Sequence, residues 1–354
     1  MEERVTIAHV ADAAGVSVPT VSKVVNGRAD VAPETRARVE RVLQEQGYRR
    51  RRAPARDASA ELLDVVFNEL ESPWAMEIVK GVEEVAREHG LGVVLSAQEG
   101  PGALGRSWVD AVAARRSAGL ILVVSELTQD QVARLRARGI PFVVVDPAGE
   151  PAPDVPSVGA TNWNGGLAAT RHLLELGHRR IGMIGGPATM LCSRARVDGY
   201  RAALETAGLP VDPELIRWGT FHVEAGYEHG HALLSLPEPP TAIFAGSDLQ
   251  AFGVYEAARE LGVDIPTQLS VIGFDDLPMA RWVGPPLTTI RQPLMEMAAT
   301  AARLVLGLGE EQRIELATTL VVRQSTTAEG GDHHGEVGAG PDRRRSSGGG
   351  GMRK

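Results

Sequence analysis

The chain has 354 residues, 43% hydrophobic and 23% charged, which exceeds the usual size of one domain and is enough to bury a large core. The start, MEERVTIAHV, has no basic region leading into an apolar one, and nowhere do eighteen apolar residues run without charge, so a cytoplasmic protein is expected. A lone cysteine, Cys192, excludes an internal disulfide and lacks partners for a zinc site; no metal and no cofactor are expected.

The net charge of −8 conceals a division along the chain. Residues 1–56 hold eleven Lys/Arg and seven Asp/Glu, a net of +4, whereas the remainder holds 26 and 38, a net of −12. A basic end on an acidic body points that end at a polyanion. Within it, Thr6 caps a helix IAHVADAAG, Gly15 permits a tight turn, and Ser17 caps a second helix VPTVSKVVN. Small Ala8, Ala11 and Ala14 allow close helix approach, and Val10, Val16, Val21 and Val24 share a core. The second helix leaves Val18, Pro19, Thr20, Ser22, Lys23 and Asn26 outward. Short hydroxyl and amide side chains there suit phosphates, and the first turn reaches base edges. A third helix, PETRARVERVLQEQGY, opens on Pro33 and completes a helical head over residues 1–49.

Residues 50–60 lie in RRRRAPARDASA, a charged stretch broken by Pro54, and read as a linker. From Leu62 the pattern changes. LLDVVF, LGVVLSA, GLILVVS, PFVVVD, RIGMIGG, TAIFAGS and LSVIGFDD have the length and β-branching of strands buried on both faces, and amphipathic stretches ending in glycine alternate with them. Strand-helix alternation specifies a doubly wound α/β fold with ligands beyond the carboxyl ends of the strands. Residues 328–354 are Gly, Arg, Ser and His with few apolar side chains and are expected to be disordered. No poised nucleophile, paired acids or spaced glycine fingerprint supports an enzyme.

The run VTIAHVADAAGVSVPTVSKVVNG followed by VAPETRARVERVLQEQGY resembles the amino-terminal signature of the lactose-repressor family of transcriptional regulators. The resemblance implies that Val18, Pro19 and Lys23 read bases, and that Thr6, Ser17, Thr20, Ser22 and Asn26 anchor phosphates. A cation at Lys23 reaches guanine O6 and N7, while Val18 and Pro19 offer apolar contact to a thymine methyl. The linker departs from the family, which places a leucine-bearing hinge helix there. Aligned from Tyr48, Arg50 and Arg51 replace Pro and Asn, Pro54 takes the Ala position and Asp57 the leucine position. A carboxylate is no apolar wedge, so Arg49, Arg50, Arg51 and Arg52 are expected on phosphates or in a narrow minor groove, with a solvated tether as the alternative.

From Leu62 to about Arg323 the chain resembles the family's effector domain, itself similar to periplasmic sugar-binding proteins; GATNWNGGLAATRHLLELGHRRIGMIGGP and SVIGFDDLPMARWVGPPLTTIRQP carry the match. The resemblance implies an effector domain over residues 61–327 built from two subdomains, about 61–160 with 290–327, and about 161–289. Three crossings are expected, near residue 160, near Thr289 and near the end. It also implies that Arg196 and Asp275 grip adjacent hydroxyls of a ligand, with an interdomain ion pair and a helix cap as their respective alternatives. Trp74 and Phe221 fall at aromatic positions facing the ligand, although Phe221 also suits core packing. Ser125, Asn162, Trp163 and Asp248 are further candidates; Asp248 equally suits a helix cap and Trp163 a crossover plug. Met190, Cys192 and Ser193 are expected to shape the pocket. The expected partners are a pseudo-palindromic DNA operator, a second copy of the chain in a homodimer, and a small effector, a sugar or alternatively a purine. The reading from a different class is a solute-binding protein with no DNA function.

Overall fold

The computed structural model describes residues 7–25, 31–45, 62–97, 106–309 and 312–330. The chain divides into two compact units, residues 1–60 and 61–354.

In the first unit, α1 (Ile7–Ala14), α2 (Val18–Val25) and α3 (Pro33–Glu45) surround a small core of Val10, Ala11, Ala14, Val21, Val24 and Val39. Each fully buried valine contributes about 1.5 kcal/mol or more, so so small a bundle depends on all of them. Gly15 takes φ +60, the left-handed conformation that lets the chain reverse in one step, and Val16 N–H returns to Ala11 O at 3.0 Å. Ser17 starts α2 as its composition suggests, its Oγ lying 2.8 Å from Thr20 Oγ1.

The second unit holds two six-stranded sheets. The first runs in the order β11 (Arg313–Leu316), β5 (Ser157–Ala160), β4 (Phe142–Val145), β3 (Gly119–Val123), β1 (Leu62–Phe67) and β2 (Gly92–Ala97), with all neighbours parallel. The second runs β12 (Thr319–Val321), β10 (Thr288–Arg291), β9 (Ser270–Asp275), β8 (Ala242–Ala245), β6 (Ile181–Gly185) and β7 (Ile216–Trp218); only β12 is antiparallel. Central strands β3, β4, β6, β8 and β9 are buried along their whole length, which is why they read as unbroken apolar runs rather than alternating ones.

Helices α4 (Pro73–Glu88), α5 (Arg106–Arg115), α6 (Gln129–Ala137) and α11 (Leu294–Val305) belong to the first lobe. Helices α7 (Asn162–Glu175), α8 (Leu191–Thr206), α9 (Val223–Leu234) and α10 (Asp248–Leu261) belong to the second. Helices α7 and α8 approach so closely that a Cβ on Gly166 or Gly199 would collide with the partner's backbone. The chain passes between lobes after β5, after β10, and between β11 and β12.

Two boundaries differ from expectation. The stretch 319–327, expected in the first subdomain, lies in the second. Only Ala317 and Thr318 separate β11 from β12, and Ser325 then locks the segment down: its Oγ accepts from Thr288 N at 2.7 Å and donates to Val271 O at 2.6 Å. Residues 328–330, expected in a disordered tail, continue this docking. Glu329 N–H meets Leu176 O at 2.9 Å, and the buried His178 ring lies 3.0 Å from Thr327 O. Residues 331–354 lie outside the described residues.

Candidate functional site

A cavity of about 270 Å³ opens between the two lobes at the carboxyl ends of the strands. Four non-glycine residues at these strand ends take positive φ: Val124 at 49, Asp146 at 48, Asp275 at 117 and Asp276 at 58. Such conformations cost about 1–3 kcal/mol each and persist where the surroundings demand them. Val124, Asp146 and Asp275 line the cavity.

Arg196, on the first turns of α8, forms the floor. Its Nε donates to Asn162 Oδ1 at 2.8 Å, Nη1 to Gly246 O at 2.6 Å and Nη2 to Gln292 Oε1 at 3.3 Å, and the guanidinium lies over the Phe274 ring, 3.7 Å from its centroid. Every arm of the fork is thereby oriented, so its position is set before any ligand arrives. Asp275 stands beside it and its Oδ1 is buried with no hydrogen-bond partner among the described residues. Burial pushes the Asp275 carboxyl up, to about 7, against the opposing pull of Arg196 and with added repulsion from Asp146. Burial likewise raises Asp146, countered by Arg196 and by hydrogen bonds from Asn162 and Cys192. An unpartnered buried acceptor is costly, and a hydroxyl or N–H brought by a ligand relieves it.

The walls are aromatic. Ser72 caps α4 by accepting from Trp74 N at 3.2 Å, which together with Pro73 fixes Trp74 at the cavity wall. Opposite, the loop bearing Phe221 and His222 is held by Gln250, whose Nε2 donates to Thr220 O at 2.7 Å and Gly185 O at 3.0 Å, and by Ser247, whose Oγ donates to Phe221 O at 2.8 Å. Cys192 also lines the cavity; burial pushes its thiol up to about 12, so it is a neutral, soft wall.

Of the candidates read from sequence, Trp74, Arg196, Phe221 and Asp275 converge on this cavity, as do Met190 and Cys192. Ser125, Asn162, Trp163 and Asp248 do not line it. Asp248 spends both oxygens on the fold, accepting from Leu277 N at 2.7 Å and Thr289 Oγ1 at 2.5 Å. Ser125 Oγ donates to Val123 O at 3.1 Å. Asn162 orients Arg196 from behind. Trp163, one residue further along α7 and hence turned about 100° away, is 43% exposed in a groove bordered by Glu150 and Arg313. Ser193, beside Cys192, is buried and its Oγ has no partner among the described residues, but it does not line the cavity. Asp146, Glu69 and His222 were not anticipated; Asp146 ends the strand PFVVVD, so the strand-end rule alone would have marked it.

In the head, Val18 at 40% exposure, Pro19 and Lys23 present the outer side of α2, and Ser17 and Thr20 sit at its start. The side chain of Ser22 and the residues Thr6, Asn26, Arg50, Arg51 and Arg52 lie outside the described residues.

Residues 6–51 match the family described as bacterial regulatory proteins, lacI family, and residues 170–326 match a periplasmic binding protein-like domain. The HTH-type transcriptional repressor CytR of Escherichia coli (strain K12) is 34% identical over 335 residues, covering 92% of this chain and 98% of its own. Among solved structures, a transcriptional regulator CelR–cellobiose complex is 34% identical with a TM-score of 0.67, covering 91% of this chain and 100% of that one. A lac repressor dimer bound to operator and the anti-inducer ONPF is 28% identical with a TM-score of 0.66, covering 92% and 100%. A helix-turn-helix head followed by a two-lobed cleft domain is the build of a DNA-binding transcriptional regulator. The chain belongs to the lacI family of bacterial regulatory proteins.

Proposed function

We propose that this regulator is a repressor that binds a pseudo-palindromic operator as a homodimer in the cytoplasm, and that a sugar held in the cleft sets its operator affinity. The division of labour is residues 1–49 for reading DNA, 50–60 for linking, and the lobes from residue 61 onward for sensing. The observation that carries the sugar reading is the pairing of a pre-oriented Arg196 with the unpartnered Oδ1 of Asp275, between the aromatic faces of Trp74 and Phe221. Vicinal hydroxyls satisfy the charged floor, and the apolar C–H faces of a sugar ring rest on the walls. The neighbouring CelR structure carries cellobiose, which supports a saccharide in a cleft of this build.

On the DNA side, Val18, Pro19 and Lys23 contact base edges, Ser17, Thr20 and Ser22 contact phosphates with Thr6 and Asn26, and Arg49 to Arg52 add charge along the backbone. Ligand and operator favour different arrangements of the lobes, and the coupling between them is reciprocal.

The test is thermal unfolding of the full chain with mono- and disaccharides, purines and amino acids. A ligand present at 100 times its Kd stabilises by about 2.7 kcal/mol. A sugar that stabilises the wild type but not Asp275→Asn, and that shifts operator affinity, supports the reading; a response to amino acids alone overturns it. A second reading, a purine, is favoured by the same two aromatic faces, which suit a flat heterocycle, and a purine-only response establishes it.

A further inference from the structure

The mouth of the cleft is bridged. Glu69, in the loop between β1 and α4 of the first lobe, and His222, which precedes α9 in the second lobe, meet with Oε2 and Nε2 at 3.1 Å, 153 residues apart in sequence. Both line the cavity and both are partly open to solvent, at 52% and 38% exposure, whereas Arg196 and Asp275 at the floor are buried. Neither partner hangs on a loose loop. Asn68, next to Glu69, donates through Nδ2 to Val124 O at the end of β3, and the His222 carbonyl accepts from Gly226 N at 3.2 Å in the first turn of α9. A contact between two anchored loops therefore spans the entrance and ties one lobe to the other.

The space behind this bridge is small. A cavity of about 270 Å³ falls below the range in which a drug-sized ligand is enclosed, and its floor, walls and mouth are each occupied by a named group. We propose that Glu69 and His222 are a specificity gate that restricts the effector to a single ring. A two-ring ligand bound by its first ring to Arg196 and Asp275 directs its second ring through the mouth and has to part the pair. The inference rests on the saccharide reading of the cleft, and deepens it by setting the size of the sugar.

Isothermal titration of the full chain with glucose, galactose and xylose, against cellobiose, lactose and xylobiose, tests the gate. The quantity read is the ratio of single-ring to two-ring affinity, measured in the wild type, Glu69→Ala, His222→Ala and Asp275→Asn. In the wild type a single-ring sugar binds about fivefold more tightly than its two-ring counterpart, the most that parting one exposed pair contributes. Either alanine variant brings the ratio toward one, while Glu69→Gln, which keeps an acceptor for His222, keeps the wild-type ratio. A wild type that prefers the two-ring sugar, or a ratio unchanged in both alanine variants, overturns the gate. If binding survives undiminished in Asp275→Asn, the cleft reading falls instead, and absence of all sugar binding to the wild type overturns both.

Discussion

Nη1 of Arg196 stands 3.9 Å from Oδ1 of Asp275, both side chains almost wholly buried, and no donor among the described residues reaches that oxygen. The separation is too long for a hydrogen bond, so the carboxylate is attracted but not satisfied.

Asp275→Asn separates ligand binding from stability. The amide removes a group whose burial opposes charge, so thermal stability stays within about 1 kcal/mol or rises. Loss of a hydrogen bond to a charged acceptor lowers ligand affinity by about 10- to 100-fold. Arg196→Ala behaves differently: it leaves Asp146 and Asp275 without their cation and strands the Asn162, Gly246 and Gln292 acceptors, at a cost of about 3–5 kcal/mol. Calorimetric titration and chemical unfolding of both variants check the pair.

The raised Asp275 carboxyl predicts a pH dependence. Its folded value of about 7 exceeds the unfolded value near 4, so the folded state holds the proton more tightly. The contribution to stability is therefore fully present below about pH 4 and is lost as pH rises toward 7. Half-buried His172 and buried His178 are both shifted down by burial and act oppositely, losing stability as pH falls through 6.5. The difference in unfolding temperature between wild type and Asp275→Asn, followed from pH 5 to pH 8, isolates the carboxyl. That difference narrows or reverses in favour of the variant as pH rises; a flat difference refutes the assignment.

Gly186→Ala disturbs the cleft without touching its charged floor. A Cβ at Gly186 would enter the Phe221 ring, so the ring must swing from the wall. Ligand affinity falls by about tenfold if Phe221 supplies a stacking face worth 0.5–1.5 kcal/mol together with the enclosure it provides. Trp163→Ala, in the groove beside Glu150 and Arg313, changes ligand affinity less than twofold by titration.

On DNA, Lys23→Ala costs about 1–3 kcal/mol at the base pair it reads and relaxes preference there. Replacing Arg49 to Arg52 by serine weakens binding across all sequences and lowers the salt slope by about 0.9 for each phosphate contact removed. Fluorescence anisotropy at several salt concentrations, on selected and scrambled duplexes, separates the two effects; an unchanged slope removes the linker arginines from the interface.

Much of this protein is written in local pattern. The buried parallel strands announce themselves as runs such as PFVVVD because both faces are covered, and the head does so because Gly15, Ser17 and the valines sit at helical spacing. Arg196, Asp275 and Trp74 were legible through the family resemblance that the motifs of the body carry, and the structure places all three on the cavity. Those features depend on residues close in sequence. What only the tertiary structure decided depends on residues far apart: that Asn162 holds Arg196, that Asp248 is consumed by Leu277 and Thr289, and that one step along α7 takes Trp163 off the lining of the cavity. The sorting of the last strand into the second lobe and the meeting of Glu69 with His222 belong to the same class. Periodicity specifies which face of an element is buried, but the partner across that face is chosen by how the lobes pack, and no local spacing encodes it.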